Sequence, residues 1–308
     1  MSVVVVGVDE SVAAERALDR ALLEAGSPGR ALRVVRAWTT YDGHDGTSGG
    51  HDGSSGGHAA FDPSGRPGTA AQERADDLVA KAVSRASGEQ PPELQVEAHL
   101  GHPGQVLVHS AQDAGLLVVG GDGDGELTSA VLGRTTAYVL HHATCPVMVV
   151  PAAPLPPAPW ARVVVGLDGS RSSRTALRFA LDAAQRAGCP LVPVYAWQTN
   201  MLPARAPMRF MHPPEEYAAA AGQWLDQELA DALPEGSGVQ VRPMIAHSTP
   251  GWGLMAVAAP EDLLVVGSRG HGGFHDLLLG SVASQVAQHA RGTVVVVRPD
   301  GQHPGDGA

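Results

Sequence analysis

The sequence predicts an α/β protein with two tandem doubly wound domains, each a five-stranded parallel sheet flanked by helices, related by a pseudo-twofold axis. Its 308 residues are enough for two domains of about 150 residues. Valine-rich segments of the first half recur in the second, and a proline-rich segment separates the halves. The predicted domains are residues 1–151 and 161–299, with a linker at 152–160 and a disordered tail at 300–308.

The internal repeat is visible in two pairs of segments. VVVVGVDES at 3–11 recurs as VVVGLDGS at 163–170, and LLVVGG at 116–121 recurs as LLVVGS at 263–268. Each half then ends on a further valine-rich segment. Downstream of the second pair the copies align without gaps, so every position there has a counterpart in the other half.

Short, continuous runs of Val, Leu and Ile alternate with alanine-rich stretches of helical period. Strands that are apolar on both faces are typical of a parallel sheet covered by helices on both sides. Each copy is therefore predicted to fold as β-α-β-α-β-α-β-α-β. In the second copy we expect strands near 162–168, 191–197, 239–245, 262–267 and 293–298.

The extra length of the first copy is explained by a low-complexity loop, predicted at 41–68. There GHDGTSG is followed at once by GHDGSSG, a composition that cannot bury a core. His44, His51 and His58 recur at equal spacing, but a disordered repeat offers a metal no preorganised geometry. We interpret the segment as a passive flexible loop.

The composition excludes several function classes. A formal net charge of −11 argues against nucleic acid or an anionic membrane as partner, because both require clustered Lys and Arg. Lys81 is the only lysine, which excludes a lysine-dependent phosphate loop or Schiff base elsewhere. Cys145 and Cys189 suggest neither a metal-ligand pair nor a disulfide framework. With no signal peptide and no apolar span of ~20 residues, we expect a cytoplasmic protein.

A glycine-rich turn follows the predicted fourth strand, where ligands bind in open parallel sheets. In the second copy Gly267 and Gly270 are followed, after nine residues, by Gly280 and Ser281 at a helix start. Glycines let the backbone approach a phosphate, and the helix start adds N–H donors and a positive dipole end. The spacing predicts an anion site built without lysine, and a purely structural turn is the alternative.

This spacing, with an Asp ending the first strand, resembles the universal stress protein family in its tandem two-domain form. The resemblance covers both copies and extends to Pro250 opening the third helix, Asp262 before the fourth strand, and Cys145 before the last strand. It implies a doubly wound fold and pairing of the domains through the last strand. It also implies ATP or AMP in the cleft, and Mg²⁺ can accompany ATP.

The resemblance also implies roles for single residues of the second copy. Asp168 would lie by the ribose and adenine, and Ser281 would hydrogen-bond a phosphate. Ser284, one helical turn further on, is a weaker candidate. The glycines that would line the phosphates are Gly267, Gly270 and Gly280.

The first copy departs from this motif. Arg134 stands where the second copy has Ser281, and three carboxylates at 122–126 would repel a triphosphate unless Mg²⁺ intervenes. Leu127 stands where a calcium loop needs its turn glycine, which argues against that alternative. We therefore expect a weaker or altered site. Its matching positions are Asp9, Gly120, Gly123 and Gly133, and Thr135 follows one place after the position of Ser281.

The resulting functional hypothesis is an ATP-binding stress-response regulator whose nucleotide occupancy biases domain pairing or partner binding. The sequence shows no defensible catalytic set, so any ATP hydrolysis should be slow and incidental. Two alternatives stay open, a nucleotide-free scaffold and a weak ATP-hydrolysing enzyme that uses the acids at 122–126. A monomer with paired halves and a homodimer of such chains are both consistent with the repeat. The sequence names no protein partner.

Overall fold

The computed structural model describes residues 2–27, 29–39, 67–85, 92–121, 132–154, 159–198, 214–233, 236, 238–270 and 279–299. Strands and helices alternate along both halves, as the hydrophobic pattern predicts. The first half contains β1 (Ser2–Gly7), α1 (Val12–Ala25), β2 (Arg30–Trp38), α2 (Pro67–Arg85), β3 (Glu93–Leu100), α3 (Pro103–Ser110), β4 (Ala114–Gly120), α4 (Arg134–His142) and β5 (Val147–Val150). The second half contains β6 (Val163–Gly166), α5 (Arg171–Ala187), β7 (Leu191–Trp197), α6 (Pro214–Ala232), β8 (Met244–His247), α7 (Pro250–Val257), β9 (Leu263–Gly267), α8 (Ser281–His289) and β10 (Thr293–Val297).

The described strands form one ten-stranded sheet in the order β3-β2-β1-β4-β5-β10-β9-β6-β7-β8. Within each half the neighbouring strands are parallel. The last strands of the two halves pair antiparallel, with Val294 opposite Val149. The predicted fold class of two doubly wound α/β units is confirmed, and the two five-stranded sheets are continuous across their pseudo-twofold axis.

Both faces of the sheet are covered by helices, which explains why the strands are apolar throughout. Val4 and Val6 are buried in one core layer, which also includes side chains of α1, α2, α5 and α6. Val5 points into the opposite layer, against α3, α4, α7 and α8. Because side chains alternate along a strand, a continuous valine run supplies both layers.

Serine and proline residues determine where several helices begin. The hydroxyl oxygens of Ser11 and Ser170 accept hydrogen bonds from the N–H groups of Ala14 and Ser173, which caps α1 and α5. Pro103 and Pro250 begin α3 and α7, positions where the missing N–H costs no helical hydrogen bond.

Two predicted boundaries were wrong. The third strand of the second half was expected at 239–245, whereas β8 begins at Met244. Pro243 precedes it and lacks an N–H for the ladder, so Val241 forms only an isolated bridge with Leu191. Helix α2 begins at Pro67, so the end of the predicted loop 41–68 is helical. The rest of that loop, residues 41–66, and the tail 300–308 lie outside the described residues.

Candidate functional site

The candidate site of the second half lies at the carboxyl ends of β6 and β9, which are neighbours in the sheet. From β6 the chain crosses to β7 on one side, while β9 lies on the other. The strand order therefore reverses between β6 and β9, which is where open parallel sheets leave a crevice for ligands. Two turns meet there, one after each strand.

The turn after β6 is shaped by Asp168. Its Oδ1 accepts a hydrogen bond of 2.9 Å from the N–H of Ser170, which in turn caps α5. Gly169 between them has a φ of +81°, a left-handed conformation that glycine adopts without strain. Asp168 is thereby held at the edge of the sheet with an exposed side chain.

The second oxygen of Asp168 faces the turn after β9. A Cβ atom on Gly270 would lie 2.5 Å from Oδ2 of Asp168, so only a glycine lets this carboxylate approach the loop. The main chain of Arg269 is hydrogen-bonded to Ser170 and Ser172, the N-cap and a first-turn residue of α5. Its N–H donates to Oγ of Ser172 at 3.3 Å, and its carbonyl accepts from Oγ of Ser170 at 3.4 Å.

Helix α8 begins at the same place. The N–H of Gly280 donates to the carbonyl of Ser268 at 2.7 Å, which closes the loop after β9 onto the helix start. The N-cap of α8 is Gly280, and no side chain among the described residues caps this N-terminus. The first N–H groups of the helix and the exposed hydroxyl of Ser281 therefore suit an anion. Ser284 is exposed one turn further on.

The structure thus brings Asp168, Gly270, Gly280 and Ser281 close together at the carboxyl ends of β6 and β9. Gly267 has a different environment. Its Cβ would lie 2.8 Å from the backbone carbon of Ser172, so this glycine lets α5 pack on the end of β9. Residues 271–278, which complete the loop, lie outside the described residues.

The first half repeats this framework with different side chains at the helix start. Asp9 accepts from the N–H of Ser11 at 2.9 Å, and Gly133 donates to the carbonyl of Gly121 at 3.1 Å. Gly120 packs against Ala13 of α1, as Gly267 does against Ser172.

In the described part of the chain no side chain caps α4 either, and Arg134 is exposed at its first position. Thr135 is only half-exposed, and the hydroxyl of the next residue, Thr136, donates to the carbonyl of Gly120 at 2.6 Å. Gly123 and the three acidic residues at 122–126 lie outside the described residues.

Sequence reasoning missed Ser172 and Arg269. Ser172 is buried, and its hydroxyl lies within hydrogen-bond distance of the carbonyl of Val297, the last residue of β10. A polar residue in the first turn of an otherwise amphipathic helix is the signal that could have identified it. Ser172 connects the loop after β9 to the central strand of the sheet.

Two general features bear on the chemistry of the described residues. The described residues contain no group of three or more His, Cys, Asp or Glu side chains arranged to hold a metal ion. None of the helices described combines the length and apolar character needed to cross a membrane.

Comparison with known proteins agrees with this architecture. The model of the universal stress protein family matches residues 1–151 and again 159–298. A universal stress protein of Mycolicibacterium smegmatis is 34% identical over 232 residues, 74% of this chain and 75% of that protein. One from Mycobacterium tuberculosis (strain H37Rv) is 33% identical over 226 residues, 72% of this chain and 73% of its own length.

A crystal structure of a universal stress protein from Archaeoglobus fulgidus superposes with a TM-score of 0.65 at 16% identity, covering 96% of this chain and 98% of that one. At that identity the likeness concerns the fold. The family model matches nearly the whole chain in two copies, and relatives of tandem size are 33–34% identical over 72–74% of it. This chain therefore belongs to the universal stress protein family.

Proposed function

We propose that this protein is a nucleotide-binding stress regulator that holds one adenine nucleotide in the crevice of its second half. The observation that carries the proposal is the meeting of Asp168, Gly270 and the start of α8, whose N-cap is Gly280, at the point where the strand order reverses. A carboxylate suits ribose hydroxyls, while backbone N–H groups at a helix start suit phosphates. ATP is the proposed ligand and AMP the alternative, with Mg²⁺ entering together with ATP.

The first half is proposed to bind nucleotide more weakly. Its helix α4 begins with Arg134 in place of Ser281, and the Thr136 hydroxyl is already bonded to the main chain. The functional consequence of occupancy is proposed to be a change in how the halves pair or in which protein they contact. Catalysis is not part of the proposal beyond slow, incidental hydrolysis.

Titration calorimetry of the full-length protein with ATP and Mg²⁺, and separately with AMP, tests this function. We expect about one site per chain. Ser281→Ala should weaken binding about tenfold, because a hydrogen bond to a charged group contributes roughly 1.5 kcal/mol. Since Ser281 is exposed, its removal leaves the fold intact, and the melting temperature checks this.

A matched pair of variants distinguishes the two halves. Gly280→Val places a branched side chain against the Ser268 carbonyl and should abolish binding, whereas Gly133→Val, at the corresponding position, should leave most of it. Two equal sites per chain would contradict the assignment to the second half. No binding of either nucleotide would favour the nucleotide-free scaffold instead.

A further inference from the structure

The two halves differ at the residue that follows their last strand. Arg298 follows β10. In the alignment of the two copies that matches Gly280 to Gly133, the corresponding residue after β5 is Pro151. Because β5 and β10 are antiparallel neighbours, each of these residues lies beside the end of the other half's last helix. The pseudo-twofold axis therefore provides two equivalent places with different chemistry.

At the first of these places, Arg298 caps helix α4. Its side chain is buried, and Nη2 donates to the carbonyl oxygens of Leu140 and His141 at 2.6 and 2.8 Å. The last carbonyls of a helix have no partner within the helix and carry its negative dipole end. A guanidinium group of the second half thus satisfies the end of a helix of the first half.

At the equivalent place a pocket is found instead. Pro151 cannot donate, and it lines the pocket together with Ala287 and Gln288, the counterparts of Leu140 and His141. The carbonyl oxygen of Ala287 receives no hydrogen bond from any residue that the structure describes. Among the residues that the structure describes, the lining also includes Gly121, Leu132, Val149 and Val294.

Smaller side chains open this pocket compared with its counterpart. Ala287 replaces Leu140, and Gly292 replaces Cys145. Gly292 is also required by local packing, since a Cβ there would lie 2.9 Å from the carbonyl oxygen of Pro260. The room left by these residues lies where a guanidinium lies on the other side of the axis.

We propose that this pocket is a binding site for a guanidinium group supplied by a ligand. The group would donate to the carbonyl of Ala287, as Arg298 donates to that of Leu140, and lie against the apolar side chains of Val149 and Val294. A planar, weakly hydrated cation fits such a half-apolar place better than a compact ammonium does. The net charge of −11 favours the approach of cations in general. The pocket shares no residue with the proposed nucleotide site of the second half, and Gly121 and Leu132 place it next to the loop of the first half.

The test is a titration of the full-length protein with methylguanidinium, followed by amide NMR. We expect saturable shifts at Ala287 and Gly292 in the millimolar range, and none with tetramethylammonium at equal ionic strength. Pro151→Arg supplies the group from the chain itself and should weaken the binding at least tenfold. Shifts that do not saturate, or that persist unchanged in Pro151→Arg, overturn the proposal.

A second variant provides a test that does not depend on whether Pro151→Arg folds. Arg298→Ala should open the counterpart pocket and add a second saturable site, reported by the amides of Leu140 and His141. If only this variant binds methylguanidinium, the natural pocket is not a guanidinium site and the proposal fails. A capped tripeptide with a central arginine then identifies the source of the group. Binding of the tripeptide indicates a protein side chain, and binding of methylguanidinium alone indicates a small molecule.

Discussion

His141 lies in α4, next to the contact between the two halves, at a place where a positive charge is unfavourable. Burial lowers its pKa below the ordinary value of 6.5, and the neighbouring charges of His142 and Arg298 lower the pKa further. The folded protein therefore binds a proton at this ring less readily than the unfolded chain does. Linkage then requires the free energy of unfolding to fall as the pH falls from about 6.5.

We predict that His141→Gln makes stability less dependent on pH in this range. Glutamine is the residue that the second half carries at the corresponding position, Gln288, so the change introduces no foreign chemistry. Urea unfolding at pH 7.5 and 5.5 measures the effect, and the wild type should lose more stability between these values than the variant. His109→Gln is an exposed control and should behave like the wild type. An unchanged pH dependence in His141→Gln would contradict the prediction.

At the scale of single elements, glycines with different surroundings have opposite effects. A Cβ on Gly267 would lie 2.8 Å from the backbone of Ser172, so α5 would have to move away from β9. In α6, a Cβ on Gly222 would meet nothing within 4 Å. The first glycine is required by close packing, and the second only adds backbone freedom to a helix.

We predict that Gly267→Ala lowers the free energy of unfolding by about 1–3 kcal/mol, as overpacking does. Gly222→Ala should raise it by roughly 0.5–1 kcal/mol, because alanine favours the helix over glycine. Chemical denaturation of both variants against the wild type measures these changes. A stabilising Gly267→Ala would show that α5 does not pack closely on the end of β9.

At the scale of the whole molecule, Trp160 at the end of the linker connects the halves. Its buried ring lies under the guanidinium of Arg20, 3.7 Å from the ring centroid. Its Nε1 donates to Glu24 at 3.3 Å. Both partners belong to α1, so a residue next to the second half is anchored on a helix of the first, within a core layer to which both halves contribute.

Trp160→Ala is expected to lower the free energy of unfolding by about 3 kcal/mol, the usual cost of removing a buried tryptophan. Thermal and chemical unfolding measure the loss, and Trp160→Phe should recover part of it. Trp252, which is 57% exposed, provides the matched control, since Trp252→Ala should stay within roughly 0.5 kcal/mol of the wild type. Equal losses for Trp160→Ala and Trp252→Ala would argue against an anchoring role for Trp160.

The local pattern was sufficient for the fold of each half. Continuous valine runs predicted parallel strands, and Ser11, Ser170, Pro103 and Pro250 stand where helices begin. These features depend on neighbours in the sequence, through side-chain period, capping and the missing proline N–H. The misplaced third strand has the same kind of cause, because Pro243 lacks an N–H for the ladder and interrupts the predicted strand 239–245.

The candidate site was predictable only in part. The motif spacing predicted an anion turn at Gly270, Gly280 and Ser281, and the family resemblance implied that Asp168 lies in the same cleft. In the structure these residues lie close together at the carboxyl ends of β6 and β9. The spacing could not show that Gly267 lies against α5, because that contact joins residues almost a hundred positions apart. Whether these groups bind a nucleotide stays a prediction.

The sequence by itself determined the duplication, the alternation of strands and helices and the glycine motif, since each is encoded in local order and period. Only the tertiary structure decided how the halves treat equivalent positions. Arg298 caps α4 while Pro151 leaves a pocket at the end of α8. This difference arises where β5 and β10 meet across the pseudo-twofold axis, between segments far apart in the chain, and no local pattern specifies which residues face each other there.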